Sequence, residues 1–502
     1  MVVRNKKRKD RGKERRLLNV KYKKNIMPLA TKLSISSVIS ITVIFLAYLY
    51  NKNVRDNGLL LLEETLSGLL NEEKSVAVNP EAKVAIGFGS CLDIVVQSNE
   101  VVFDQAPENP EHFFSVSSRE EFLKVFAYFY RHGAAAERYI SNSTFFNELV
   151  EMAMKAPSAR SMIGGNAPVM AKRFAKEGCQ VLLGAQVSES LKNRNSFQKK
   201  LLFQGPSVKD DDIHLLLEYP AGQRWGPFSP PRANRFIVHN DHENPKLSSI
   251  DMFIQKVNLY KPDLLVISGL HMMDNFPMPA DAQLKQLQKV QALMAKQPNN
   301  VRIHFEMASF SDETLLKNLV ENIIPFADSL GMNEQELPNL YQMMKYGNVS
   351  LLAESRPRIA AVLDQMRNVF NYLQGTEETS GRRKLTRLHV HTLAFQAFLV
   401  NKESQWKNTK AAAAKSALTA NRHTCGSDEI NIKNAKLIMD DAFTSSMQQD
   451  FHRIPFETKQ PVSCWDEDDL MFCVSPVLVC TDVLQTGGGG DNISSAGLVL
   501  QI

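Results

Sequence analysis

The chain has 502 residues, is 44% hydrophobic and carries a formal net charge of +5. Residues 1–32 hold 13 Lys/Arg against 2 Asp/Glu, leaving 46 basic and 52 acidic residues in a mildly acidic remainder. That distribution argues against a nucleic-acid-binding body, which needs a cationic face of its own. Six cysteines with no CxxC pair argue against a zinc or dithiol redox motif, while leaving room for one or two disulfides in an oxidising compartment.

Residues 33–50 form an uncharged run of 18, close to the ~20 residues a membrane-spanning helix needs. Tyr48 and Tyr50 end it where an interfacial aromatic belt would lie, and Arg4 to Lys24 flank its other side. By the positive-inside rule, residues 1–32 read as a cytosolic tail and 33–50 as an uncleaved signal anchor. Residues 51–80 read as a helical linker with an apolar stripe from Leu59 to Leu70, and the globular body starts at about residue 81. A cleaved signal peptide and a nuclear-localisation tail are the competing readings. Sequons at Asn142, Asn348 and Asn492 fit a body in the lumen of the endoplasmic reticulum.

Within the body, Lys83-Val-Ala-Ile-Gly-Phe-Gly reads as a buried strand entering a glycine turn, and Ser118 to Arg131 as a helix. Val181-Leu-Leu-Gly is a short strand. Ile213 to Tyr219 and Arg235-Phe-Ile-Val read as a hairpin around a Gly/Pro-rich loop at 220–231. Pro262 to Leu270 contains a central strand, followed by a helix at 281–296, a strand at 301–308 and a helix at 312–321. Asn322 to Ala327 reads as the next strand. Ala411 to Ala414 fit a helix or a loop. The alternation implies an α/β fold with a parallel sheet covered on both faces, and either a lid or a second domain.

Three motifs carry chemistry. Thr486-Gly-Gly-Gly-Gly-Asp491 precedes an apolar helical run starting near Ile493. Glycines that open a helix make an anion site from bare N–H groups and the positive helix end, with Asp491 set to take a proton. A flexible surface loop is the alternative. His304-Phe-Glu306 ends a strand, where open α/β sheets bind ligands, and Asn333-Glu-Gln-Glu336 follows the strand read at Asn322 to Ala327. Carboxylates there hold Mg²⁺ together with phosphate oxygens, or serve as structural acids.

In this order, HxE, NxxE and GxGD resemble the ADP-dependent sugar kinases of the ribokinase superfamily. Gly133-Ala-Ala-Ala-Glu-Arg, Gly164-Gly-Asn-Ala, His214-Leu-Leu-Leu-Glu-Tyr, Ser268-Gly-Leu-His-Met-Met, Leu330-Gly-Met-Asn-Glu-Gln-Glu and His389-Val-His-Thr-Leu extend the resemblance to the animal ADP-dependent glucokinases over roughly residues 80–502. It implies a ribokinase-like α/β fold with a smaller α/β lid inserted in a kinase domain at 81–502. It also implies that Asp491 is the general base and that Gly488, Gly489 and Gly490 form the anion hole. Glu306 and Glu336, with Asp491, are implied to be linked to Mg²⁺. Asn333, His391, Thr392, Val479, Gly490 and Arg235 are implied to face the nucleotide. Asp93, Glu137, Gly164 and Gly165, with Asp491, are implied to face the sugar.

The implied reaction transfers the β-phosphoryl group of ADP to glucose, giving AMP and glucose 6-phosphate, by a membrane-anchored monomer with no nucleic-acid partner. Another sugar, ATP as donor, or a non-catalytic binding role are the alternatives. Four glycines are more than the family's usual loop contains, and a glycan on Asn492 would block Asp491, so that sequon is expected to be unused.

Overall fold

The computed structural model describes residues 29–502, apart from 103–104, 195–200, 355, 376–380, 441 and 449–450. The basic residues 1–28 lie outside it, as do the side chains of 29–36 and 54–55. One helix, Leu29–Lys74, contains a stretch long and apolar enough to cross a membrane. Every residue from Ser37 to Tyr50 is exposed, including Ile44, Phe45 and Leu46. The same helix continues through the segment expected to be a linker. From Leu62 onward it belongs to the body: Leu69 is fully buried, and Leu62, Leu66 and Leu70 pack on the same core. The spacing of these leucines is helical, so their stripe is a packing face of the body.

The body is built on a ten-stranded sheet. Lys83–Gly87 lies between Gln180–Gly184 and Leu264–Ile267, all parallel. Arg302–Glu306, Ser329–Asn333 and Arg387–His391 continue the parallel order on one side, and Leu201–Gln204 closes the other edge. Phe395–Asn401, Leu470–Pro476 and Ser463–Glu467 extend it antiparallel. Successive residues of one strand point to opposite faces. Val84 and Ile86 therefore enter one core while Ala85 enters another, and Leu264 and Val266 separate from Leu265 and Ile267 in the same way. Each face is thus buried under its own layer, which explains why these strands read as continuous apolar runs.

A six-stranded sheet with its own core forms the lid. Its order is Ser115–Val116, Ala136–Ile140, Asn234–His239, Ile213–Tyr219, Cys91–Gln97 and Arg160–Gly164. The expected hairpin is present, with Glu218 opposite Arg235 and antiparallel pairing. One strand was misplaced: Asn322–Ala327 is not extended. The helix Glu313–Asn322 runs to its start, and Ile324–Phe326 is a 3₁₀ turn around Pro325. Pro325 lacks the N–H a ladder requires, and the strand begins instead at Ser329. The alanine run lies inside the buried helix Thr409–Thr424. Four cysteines pair as Cys425–Cys480 and Cys464–Cys473, while Cys91 and Cys179 are buried thiols outside these bridges.

Candidate active site

A cavity of about 290 Å³ opens at the carboxyl ends of the parallel strands and is roofed by the lid sheet. Asp93, Glu137, Gly165, Arg235, Glu306, Asn333, Glu336, His391, Thr392, Val479, Gly488, Gly489, Gly490 and Asp491 all line it. Of the residues singled out in the sequence, Gly164 alone is set back. It faces Cys91 across paired strands, and a Cβ there would fall on the Asp93 carboxylate.

The glycine run does not stay a loop. Gly488 adopts φ 67° and caps the helix Gly489–Val499, so Gly489, Gly490 and Asp491 form its first turn. The helix begins four residues before the expected Ile493 because packing overrides the poor helix propensity of glycine. Residues 493–500 are buried, and the Ser416 hydroxyl on the neighbouring helix donates to the Ile493 carbonyl at 3.2 Å. Side chains are excluded sterically at Gly490, where a Cβ would sit 2.8 Å from His391 Cε1. The first-turn N–H groups have no intrahelical acceptors, so the cavity receives a positive helix end. Asp491 accepts from Asn166 Nδ2 at 2.8 Å through Oδ1. Among the described residues no donor reaches Oδ2. Burial, reinforced by the Glu306 charge, pushes the Asp491 carboxyl up to about 6.

The other two motifs sit at adjacent strand ends. His304 and Glu306, two residues apart, share a face of their strand, and His304 Nε2 donates to Glu306 Oε2 at 2.8 Å. The His304 ring is fixed from behind by Ser329 at 2.9 Å, which Arg387 holds in turn at 2.8 Å. Gly331, paired with Glu306, leaves room for that carboxylate. Ser494 donates to Glu306 Oε1 at 2.8 Å. Burial opposes the charge on Glu306, but His304 and His391 hold its carboxyl down at about 2.

The NxxE spacing has a local cause. Asn333 Oδ1 accepts from the N–H groups of Gln335 and Glu336 at 2.7 and 2.9 Å, while the Glu336 carboxylate accepts from Asn333 N and Nδ2 at 2.8 and 2.7 Å. This reciprocal box opens the helix Glu336–Tyr346. Burial raises the Glu336 carboxyl to about 7, with Glu306 and Asp491 adding repulsion. Glu306, Glu336 and Asp491 all face the one cavity, and carboxylate oxygens are the donor type a hard cation such as Mg²⁺ takes. Thr392 has a second duty: its hydroxyl bonds Phe395 O and accepts from Phe395 N, building the turn between two strands.

The lid supplies the opposite wall. Asp93 is paired in register with His214, and His214 with His239. Burial pushes the Asp93 carboxyl up to about 6, against the pull of His214. Glu137 is surrounded by His271 and His214 at 3.4 Å and His239 at 3.7 Å, and these rings hold its carboxyl well below the usual range despite burial. Buried Asp241 counters burial at His214 and raises that ring to about 10. Arg235 faces the cavity with its Nε unpaired, whereas Arg232 is engaged by Glu334. Asn166, His214, His271 and Glu218 belong to this wall or its supports and were not singled out in the sequence. All four lay inside quoted motifs, but a polar residue within such a motif does not reveal its partner. Glu218 accepts from Thr486 N and Oγ1 at 2.6 and 2.9 Å and from Arg160 at 2.7 Å, tying the lid to the glycine segment.

Residues 82–500 match the model of the ADP-specific phosphofructokinase/glucokinase conserved region. The chain is 31% identical to the ADP-dependent glucokinase of Bos taurus over 83% of its own length and 84% of that protein. It is 28% identical to a probable ADP-dependent glucokinase of Caenorhabditis elegans, covering 83% and 84% of the two chains. A solved ADP-dependent kinase complex with fructose-6-phosphate and ADPβS superposes with a TM-score of 0.64 at 16% identity, covering 88% of this chain and 97% of that one, and so shares the fold. With the glycine-opened helix, the paired carboxylate motifs and the lid all present, this chain is a kinase belonging to the ADP-specific phosphofructokinase/glucokinase family.

Proposed function

We propose that the protein phosphorylates the 6-hydroxyl of glucose with ADP as donor, releasing AMP and glucose 6-phosphate. The observation that carries this reading is Asp491, held by Asn166 in the first turn of the glycine-opened helix and facing a sugar-sized space lined by Asp93 and Glu137. Asp491 Oδ2 takes the hydroxyl proton as the sugar oxygen bonds to the β-phosphorus and the bond from that phosphorus to the bridging oxygen breaks, leaving with AMP. A positioned base of this kind contributes ~10²- to 10⁴-fold. The first-turn N–H groups of Gly489 and Gly490 stabilise charge on the transferred group, and Arg235 faces the phosphates. Glu306 and Glu336 would hold Mg²⁺, which when bound supplies counter-charge to phosphate oxygens.

An uncharged acceptor is favoured because no lysine lines the cavity among the described residues and Arg232 is already paired. The exposed apolar stretch from Ser37 to Tyr50 supports a single-pass anchor, and two disulfides support a lumenal body.

The test uses the detergent-purified full chain with Mg²⁺, glucose or fructose 6-phosphate, and ADP or ATP, following AMP and sugar phosphate. Glucose-dependent AMP release that falls by about 10²-fold or more in Asp491→Asn is expected. A folded wild type that turns over fructose 6-phosphate or ATP in preference would overturn the assignment.

A further inference from the structure

The lid wall contains a second polar constellation with a different chemistry. His214 and His239 stand opposite each other on adjacent strands, their rings stacked at 4.7 Å and 29°. Their outer nitrogens share one buried carboxylate: His214 Nε2 lies 3.0 Å from both oxygens of Asp241, and His239 Nδ1 lies 3.3 Å from Oδ1. That orientation turns both inner nitrogens, His214 Nδ1 and His239 Nε2, toward Glu137 Oε1, at 3.4 and 3.7 Å. Glu137 Oε1 is buried without a hydrogen bond, and so is His239 Nδ1, which lies 3.3 Å from Asp241 Oδ1. The histidine side chains are only 5% and 3% exposed. Three donor atoms therefore surround a common point instead of bonding one another, all within 4.8 Å.

We propose that Glu137, His214 and His239 form a binding site for Zn²⁺ or a similar borderline divalent cation, and that its occupancy excludes the sugar. Zinc takes imidazole nitrogens and carboxylate oxygens at ~2.0–2.2 Å, which in a tetrahedron sets ligand atoms about 3.3 Å apart. The carboxylate lies 3.4 and 3.7 Å from the two ring nitrogens, and all three atoms lie within 4.8 Å of one another. Two imidazoles select such a cation over Mg²⁺, which prefers oxygen. Asp241 bonds the far nitrogen of His214 and lies 3.3 Å from that of His239, where outer-shell carboxylates stand at zinc sites. Binding displaces the proton shared by the cluster. The open coordination position faces the cavity, where Glu137 would otherwise meet a sugar hydroxyl. The exclusion of sugar rests on the proposed sugar subsite, whereas the metal site rests on its own geometry.

The metal-stripped full chain, held in excess Mg²⁺ to occupy the oxygen site, is titrated with Co²⁺ as a spectroscopic probe and then with Zn²⁺. One equivalent of Co²⁺ with a ligand-field band of four- or five-coordinate nitrogen and oxygen ligation is expected, displaced by one equivalent of Zn²⁺. His239→Ala and Glu137→Gln should each weaken Zn²⁺ binding at least tenfold, Asp241→Asn should weaken it about 10- to 100-fold, and Glu306→Gln should leave it unchanged. Circular dichroism checks that each variant is folded, and Glu137→Gln keeps the side-chain shape should His239→Ala fail to fold. Absence of the band, or affinity unchanged in the folded variants, overturns the site. Glucose should raise the apparent Zn²⁺ dissociation constant in proportion to its concentration. Tight metal binding through these three residues that glucose does not shift overturns the exclusion. Glucose phosphorylation measured with Mg²⁺ and a zinc chelator tests the sugar reading separately.

Discussion

Glu218→Ala should slow phosphoryl transfer without loosening sugar binding. Glu218 lies on the lid strand Ile213–Tyr219 with a side chain only 6% exposed, and no part of it is proposed to touch a reactant. Its carboxylate accepts from the backbone N–H and the hydroxyl of Thr486, five residues before Asp491, and from Arg160, which also donates to Leu484 O at 2.8 Å. Removing it releases both anchors of the segment that feeds the glycine helix. Hydrogen bonds to a charged group are worth about 1.5–3 kcal/mol each. Water filling the vacated space returns part of the two lost at Thr486, leaving about 2–4 kcal/mol of positioning. Expressed in the transition state, that is about 30- to 1,000-fold in kcat. Initial rates of AMP formation, with sugar and ADP varied independently, should show this fall while the KM for sugar changes less than about threefold. Thr486→Val keeps the backbone bond and loses the hydroxyl bond, about half of that positioning, so its kcat should fall about 5- to 30-fold. A kcat for Glu218→Ala within threefold of wild type, or an effect confined to KM, would refute the coupling between lid and glycine segment.

Other perturbations separate the sugar wall from the scaffold. Gly164→Ala places a methyl group on the Asp93 carboxylate, so the KM for sugar should rise about tenfold or more while that for ADP stays within twofold; overpacking costs about 1–3 kcal/mol. An unchanged sugar KM would remove Asp93 from the sugar subsite. Glu73, near the end of the long helix, accepts from Arg422 at 2.8 and 3.0 Å and from Lys415 at 3.2 Å, and Glu73→Gln should cost about 3 kcal/mol at pH 7 in urea unfolding. Burial opposes the Glu73 charge, but Arg422 and Lys415 hold its folded pKa below the unfolded value near 4.5. The ion pair's stabilisation is therefore present above pH 4.5 and is lost as pH falls through the folded pKa. The gap between wild type and Glu73→Gln should close in that acid range; a constant gap from pH 7 to 3 contradicts the ion pair. Cys425–Cys480 closes a separation of 55 residues and Cys464–Cys473 one of 9, so serine replacement of the first pair should lower the urea midpoint more, with about 2–4 kcal/mol at stake. Equal effects, or a wild type indifferent to reductant, would count against the longer bridge.

Features with a local cause were legible in the residue pattern. Alternating strand and helix patterns around residues 83–87, 264–267 and 302–306 gave the covered parallel sheet, because a strand buried on both faces must be apolar throughout. HxE was legible because residues two apart share a strand face, and NxxE because residues three apart close a capping box. That the glycine run and Asp491 stand at a helix start was legible from the apolar helical run that follows them. Tertiary structure decided what depends on distant partners. Packing against the helix Thr409–Thr424 pulled Gly489 and Gly490 into a helix that their propensity disfavours. A buried core made the leucines after Leu62 part of the body, which a stripe alone does not distinguish from a linker. Strand register brought His214 and His239 against Glu137, and Glu218 beneath Thr486, across separations of 77 to 268 residues that no periodicity encodes. A lone polar residue in an apolar run shows that it must be satisfied on burial, and only the folded chain shows by what.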